Sequence, residues 1–362
     1  MTAMPVRTDG SSSGGAPLPP RRALWSDLPS SPLFAPAFAL MDGALGALTG
    51  RADGAGPLQD WNERLRAFEL FQRAPSLVRG GATLVRDPAP AIRDALAMDP
   101  WERLWVLEGL GYAAVRQGGA ARLLGSPAVP VAAHIPLHTG CGLGLAADAV
   151  EGITTGGVGR AIQTFANRCR QLSRPGGRGA MLEALGLAAR TLRPESLMEL
   201  AQAAGEVEGG FLRPYFWHGV GRALFFVPSQ WLSWGLGNPL HAALREPPNV
   251  AARADAVAGL AWATTLVGLR TPAAVDRFLA SCGADVPAHA VQHGIASALL
   301  LWAHANGVDA AFERFLGYAS PHPGRWHEWV VEPAERALAT RLPHVLDGQF
   351  GELFRLEGAV PS

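Results

Sequence analysis

The sequence predicts an all-α protein in which three tandem helical repeats of about 75 residues form an α/α solenoid or a toroid-like array. Three observations carry that expectation. One motif returns twice at a fixed spacing, a second glycine-rich motif follows each copy, and the segments are rich in Ala and Leu without alternating β-branched residues.

The first motif is Leu107-Glu108-Gly109-Leu110-Gly111-Tyr112-Ala113-Ala114. It recurs as Leu182-Glu183-Ala184-Leu185-Gly186-Leu187-Ala188-Ala189 and as Val257-Ala258-Gly259-Leu260-Ala261-Trp262-Ala263, so positions 109, 184 and 259 stand 75 apart. The second motif is Gly140-Cys141-Gly142-Leu143-Gly144-Leu145, then Gly219-Val220-Gly221-Arg222-Ala223-Leu224, then Gly294-Ile295-Ala296-Ser297-Ala298-Leu299. Glycine weakens an isolated helix by up to about 1 kcal/mol, so its use at fixed helical positions implies close approach of a neighbouring helix. Between the motifs, Ser196 to Ala201 and Ala274 to Leu279 read as amphipathic helices opened by Pro194 and Pro272. Gly159 to Leu172 and Val308 to Leu316 read the same way, giving about four helices per unit.

The expected organisation is a flexible Ser/Gly/Pro leader over 1–22, an N-terminal helical segment over 23–89, the three-repeat domain over 90–310 and a helical cap over 311–362. Pro228 to Pro248 reads as a loop that interrupts the array. The cap, from His327 to Leu356, reads as broken at Pro333 and Pro343.

Composition narrows the function. The 31 basic and 31 acidic residues cancel, leaving no positive field for nucleic acid. Every basic residue is Arg; without Lys there is no pyridoxal Schiff base and no Walker A loop. Cys141, Cys169 and Cys282 lack disulfide or zinc spacing, which points to a reducing, cytoplasmic setting. The stretch from Leu33 to Leu48 lacks the order of a secretory signal. No uninterrupted apolar run reaches bilayer length, although a mean hydropathy of +0.11 keeps peripheral membrane association as an alternative.

Candidate chemistry gathers on the motifs. His134 with His138 and His289 with His293 have i,i+4 spacing, which suits either packing and capping or a metal or haem; no ligand set follows, and the cofactor is unknown. Thr139, His218 and His293 each precede the first glycine of the second motif. They are read either as a polar ring about a common centre, or as an N-cap at Thr139 with two hydrogen-bonded histidines. Arg222 is the one formal charge inside the otherwise Gly, Ala and Leu run of the second motif, and Glu108 and Glu183 occupy matching positions as acid or base candidates. His218, His293, Glu108, Glu183 and Arg222 are therefore the candidate catalytic set. Trp105, Tyr112, Trp217 and Trp262 are the candidate substrate-binding set, because an indole-rich cavity suits an unsaturated apolar ligand. Arg253 and Asp255 read as an exposed ion pair or a helix-dipole complement. His218 and His293 are expected to face a shared cavity.

The stretches Gly221-Arg222-Ala223-Leu224-Phe225-Phe226-Val227, Arg253-Ala254-Asp255-Ala256-Val257-Ala258-Gly259-Leu260-Ala261-Trp262-Ala263 and Gln292-His293-Gly294-Ile295-Ala296 resemble the UnbL-type family of enediyne biosynthesis cluster proteins. Leu107-Glu108-Gly109 and Gly140 to Leu145 resemble the same family's earlier glycine-rich segments. The likeness covers about residues 65 to 310, and Pro228 to Pro248 departs from it. The resemblance implies a role in maturing a polyketide polyene by desaturation, halogenation or cyclisation. It implies a hydrophobic small-molecule substrate and other cassette proteins as partners, and it carries over no catalytic residue. The alternative is a non-catalytic helical-repeat scaffold or carrier that binds a partner enzyme or a lipid-like ligand.

Overall fold

The computed structural model describes residues 57–153, 157–226 and 238–356, without the side chains of 57–61 and 352. The expected leader, the apolar stretch from Leu33 to Leu48, Trp231 and Trp234 lie outside the described residues. Among the described residues the structure is helical and has no strand.

Seven helices form the core: α1 (Pro57–Leu77), α2 (Pro100–Arg116), α3 (His134–Glu151), α4 (Ala184–Leu192), α5 (Leu212–Phe226), α6 (Val250–Val267) and α7 (Ala288–Asn306). Each packs on the next in that order. Their starts are chemically specified. The Asp99 carboxylate accepts from the Trp101 and Glu102 amides beside Pro100, and the Asn249 side chain accepts from Ala252 N at 2.9 Å.

The glycines set how closely these helices approach. A methyl group on Gly140 would overlap the Glu108 carbonyl oxygen, and one on Gly111 would overlap that of Leu137. Gly219 meets the Glu183 carbonyl and Gly186 that of Phe216; Gly259 meets His218, Gly221 meets Ala256, and Gly294 meets Ala258. In the α2/α3, α4/α5 and α5/α6 pairs the partner numbers rise on one helix as they fall on the other, so these neighbours run antiparallel at backbone contact. Such spacing permits Cα–H···O contacts and dense packing that offset the poor helix propensity of glycine.

Long-range bonds also join helices distant in sequence. Trp101 Nε1 on α2 donates to the carbonyls of Leu266 and Val267 at the end of α6, at 3.3 and 3.2 Å. Arg103 donates to Asn306 Oδ1 at 2.7 Å and to Ala305 O at 3.3 Å, both on α7. Arg64 on α1 donates to Phe225 O on α5 at 3.0 Å. Helix Val250–Arg270 is long and apolar enough to cross a bilayer, but 83% of its apolar 18-residue segment is buried within the fold, as a core helix requires.

The shorter helices expected from the sequence form at Val158–Leu172, Leu197–Glu206, Pro272–Ser281 and Ala310–Leu316. Three expectations are corrected. Within Pro228 to Pro248, read as a loop, Pro239–Arg245 is helical and capped by Asn238; the part before 238 lies outside the described residues. Thr139 is not an N-cap, because α3 starts at His134, and its hydroxyl donates to Ile135 O at 3.0 Å inside the helix. Pro333 does not break the cap. It follows a π-helical turn, His327–Val331, that leads directly into helix Glu332–Thr340, so its missing N–H falls at the widened turn.

Candidate functional site

Glu108 on α2, Glu183 at the junction before α4, and His218 and Arg222 on α5 meet in the interior. The close helix approach at Gly140, Gly219 and Gly259 brings these side chains together, since a wider crossing would leave them short of one another. His218 and Arg222 share one face of α5 because they are four residues apart. Arg222 Nη1 donates to Glu183 Oε2 at 3.1 Å, and Nη2 donates to Glu108 Oε1. His218 Nδ1 lies 3.3 Å from Glu183 Oε1, so Nδ1 carries a proton donated to the carboxylate and Nε2 stands outside that bond. That nitrogen has no hydrogen-bond partner, and neither do Arg222 Nε and Trp262 Nε1.

Aromatic faces enclose the cluster. The Arg222 guanidinium lies 5.0 Å from the Trp262 ring centroid, a cation–π distance. The His218 ring meets Trp262 at 6.2 Å and Phe354 at 5.9 Å, both edge-to-face, and Trp262 meets Phe354 at 5.8 Å.

The two carboxyls titrate in opposite directions. Burial, reinforced by the Glu183 charge, pushes Glu108 above the usual carboxylate range despite Arg222. Burial also opposes ionisation of Glu183, but Arg222 and His218 outweigh it and hold that carboxyl below its usual range. For Arg222, burial is outweighed by its two carboxylate partners, which raise its pKa further. The result is one carboxylate held as an anion, one anchored cation and a second carboxyl that gives up its proton less readily than a free one.

The remaining expected residues lie as follows. His293, on α7, is half-buried, close to Ser297 Oγ at 3.3 Å, and burial with Arg341 and His218 nearby lowers it to about 3. Trp105 packs edge-on to Trp101 and Phe226. Trp217 packs on Phe216, and Tyr112 is half-buried against Phe71 with Arg116, Asp148 and Glu151 around its hydroxyl. Of the four aromatic candidates, the structure brings Trp262 onto the charged cluster.

The histidine pairs do not offer a metal centre, and no group of three or more His, Cys, Asp or Glu is arranged for one among the described residues. His138 Nδ1 donates to His134 O at 2.6 Å and its Nε2 accepts from Arg174 N at 3.1 Å, while His134 Nε2 lies 2.8 Å from Arg174 Nη1. His289 is exposed.

The expected exposed pair of Arg253 and Asp255 is also corrected. Asp255 is 4% exposed and forms no ion pair with Arg253, because residues two apart on a helix diverge. Its carboxyl accepts from the Leu356 backbone, and burial raises it to about 8. One residue on this site was not singled out from sequence: Phe354, which meets His218 and Trp262. A separate surface groove of about 250 Å³ is lined by Leu145, Asp148, Arg160, Phe165 and Arg168, none of them in the cluster.

No family model, curated protein or solved structure matches this chain.

Proposed function

We propose that this protein binds a hydrophobic, polyunsaturated small molecule, the substrate class that the likeness to the UnbL-type enediyne proteins implies, in its helical interior and moves protons on it. The observation that carries this reading is His218. Its ring is fully buried, Glu183 holds Nδ1, and Nε2 remains unpartnered beside the Trp262 and Phe354 rings. In that arrangement Nε2 takes or gives the proton, Glu183 orients the ring and stabilises its charged form, and Arg222 keeps Glu183 ionised. Glu108, which gives up its proton less readily than a free carboxyl, is the complementary acid. A conjugated chain gains from this environment because aromatic faces receive it without ordering flexible side chains.

The array geometry belongs to the same proposal. Gly140 on Glu108, Gly219 on Glu183 and Gly294 on Ala258 are equivalent contacts in the three sequence copies, as are Gly111 on Leu137 and Gly186 on Phe216. They support three repeats of one helical unit, and the bonds from α2 to α6 and α7 support a toroid-like rather than an open array.

The test is titration with a conjugated tetraene fatty acid, followed by energy transfer from tryptophan. Saturable binding that weakens in Trp262→Ala, with any conversion of the polyene lost in His218→Asn, is the expected result. No saturable binding would remove the proposal.

A second reading is favoured by one observation: Arg222 neutralises carboxylates delivered by two different helix segments, which is also what a structural pin does. A scaffold of that kind retains partner binding in His218→Asn and shows no polyene affinity.

A further inference from the structure

The last described residues, Gly348 to Leu356, do not extend the helical cap. They turn at Gly348, whose φ of +89° is left-handed, form the single 3-10 turn Gly351–Phe354, and continue extended at Arg355. This strap lies against α5, α7 and the helix turn Arg178–Leu182. Phe350, Leu353 and Phe354 are buried. Bonds to the rest of the fold include Phe350 N to Gly176 O at 3.2 Å, Tyr215 Oη to Gly351 O at 3.2 Å and Leu356 N to the Asp255 carboxyl, and the Arg355 guanidinium lies 5.7 Å from the Phe211 ring centroid. Gly176, with φ +80°, receives the Gly348 carbonyl where a side chain would collide.

What the strap covers sets it apart from an ordinary terminal segment. Its two phenylalanines each lie on a buried imidazole with unsatisfied nitrogen. Phe354 meets His218 at 5.9 Å, and Nε2 of that ring is unpartnered. Phe350 meets His304 at 5.1 Å, and both ring nitrogens of His304 are unpartnered although the residue is 5% exposed. Buried polar atoms without partners penalise the closed state, and lifting the strap would return them to water. Opening also releases the conformational entropy of nine residues, against the burial of three large side chains. These terms oppose one another in the strap, whereas the helices beneath it are locked by backbone contact at their glycines.

We propose that Gly348–Leu356 is a displaceable strap, and that its Phe354 ring fills the position an apolar conjugated ligand takes beside His218 and Trp262. The ligand's chemistry rests on the function proposed above; the strap's mobility and cover do not. Strap and ligand compete, and the apparent affinity is reduced by the fraction of molecules in which the strap is closed.

The full-length protein is compared with Phe354→Ala and with the milder Tyr215→Phe, which removes the Gly351 bond. Diethylpyrocarbonate modification of His218, mapped by mass spectrometry, reads the cover without ligand. We expect it to be about tenfold faster in Phe354→Ala and accelerated in Tyr215→Phe, as a shift from mostly closed to mostly open predicts. Unchanged rates in folded variants would overturn the strap. Amide exchange over 350–356, with and without the tetraene fatty acid, reads the competition. Faster exchange with ligand and about tenfold tighter binding by Phe354→Ala are expected. Saturable tetraene binding without either change would overturn the competition and leave the proposed function standing. Faster modification of His218 with no tetraene binding in any variant would keep the strap as a cover and reject its proposed ligand.

Discussion

Replacing Arg222 with Met tests the buried network most directly. The side chain is 2% exposed and bridges Glu183, at 0%, and Glu108, at 6%. Removing it strands two carboxyls in the interior, and breaking a buried pair by deleting one partner costs about 3–5 kcal/mol. The lost cation–π contact with Trp262 adds about 0.5–2 kcal/mol. Glu108→Gln keeps an acceptor for Nη2 and should cost about 1 kcal/mol. The double variant Glu108→Met with Arg222→Met should cost less than the sum of its single variants, with a coupling of about 1–3 kcal/mol, because neither change then leaves Glu108 unpaired. Urea denaturation followed by tryptophan fluorescence measures the wild type, Glu108→Gln, the two single Met variants and the double variant. The Arg222→Met penalty should shrink as pH falls towards 4, where the stranded carboxyls become neutral in both states. A penalty below about 1 kcal/mol at neutral pH, or strict additivity of the two sites, would refute the network as an energetic unit.

Other outcomes follow from the same geometry. Gly219→Ala forces a methyl group into the Glu183 carbonyl and should destabilise by about 1–3 kcal/mol, whereas Gly159→Ala, on an exposed helix position with open space around it, should stabilise by up to about 1 kcal/mol; thermal unfolding of the two variants compares them. Asp255 is raised from 3.8 to about 8, so its protonated form is bound more tightly by the folded state. Stability therefore falls as pH rises through that interval, and the advantage of Asp255→Asn should widen up to about pH 8 and stay flat above it in denaturation series. His138 is lowered from 6.5 to about 4 by burial, so its contribution is present above 6.5 and is lost as pH falls through 4. Its Cε1 proton resonance should stay unshifted from about pH 8 to about pH 5.5.

The helical class was legible from Ala and Leu without alternating β-branched residues, and close helix approach was legible from glycine at fixed positions, which Gly111, Gly140, Gly186 and Gly219 all serve. The members of the central cluster were legible singly, through their places in the motifs. Their partnership was not: Glu108 and Arg222 are 114 residues apart, and nothing local in either sequence says which helix will face which. Asp255 was misread because proximity in sequence to Arg253 looks like proximity in space, which helix geometry denies. Thr139 was misread because the glycine motif resembled a helix start, whereas α3 begins five residues earlier. The strap left only Phe350, Leu353 and Phe354 as a signal; apolar spacing shows that a segment buries itself, not where.

The bonds that tie α2 to both α6 and α7 bear on how the molecule comes apart. In a linear stack of helices the last members can peel away while the first remain intact. Here Trp101 and Arg103 grip the final helices from near the beginning of the core, so loosening either extremity disturbs the other. Unravelling should therefore be shared rather than sequential, and intermediates with half the helices melted should be scarce.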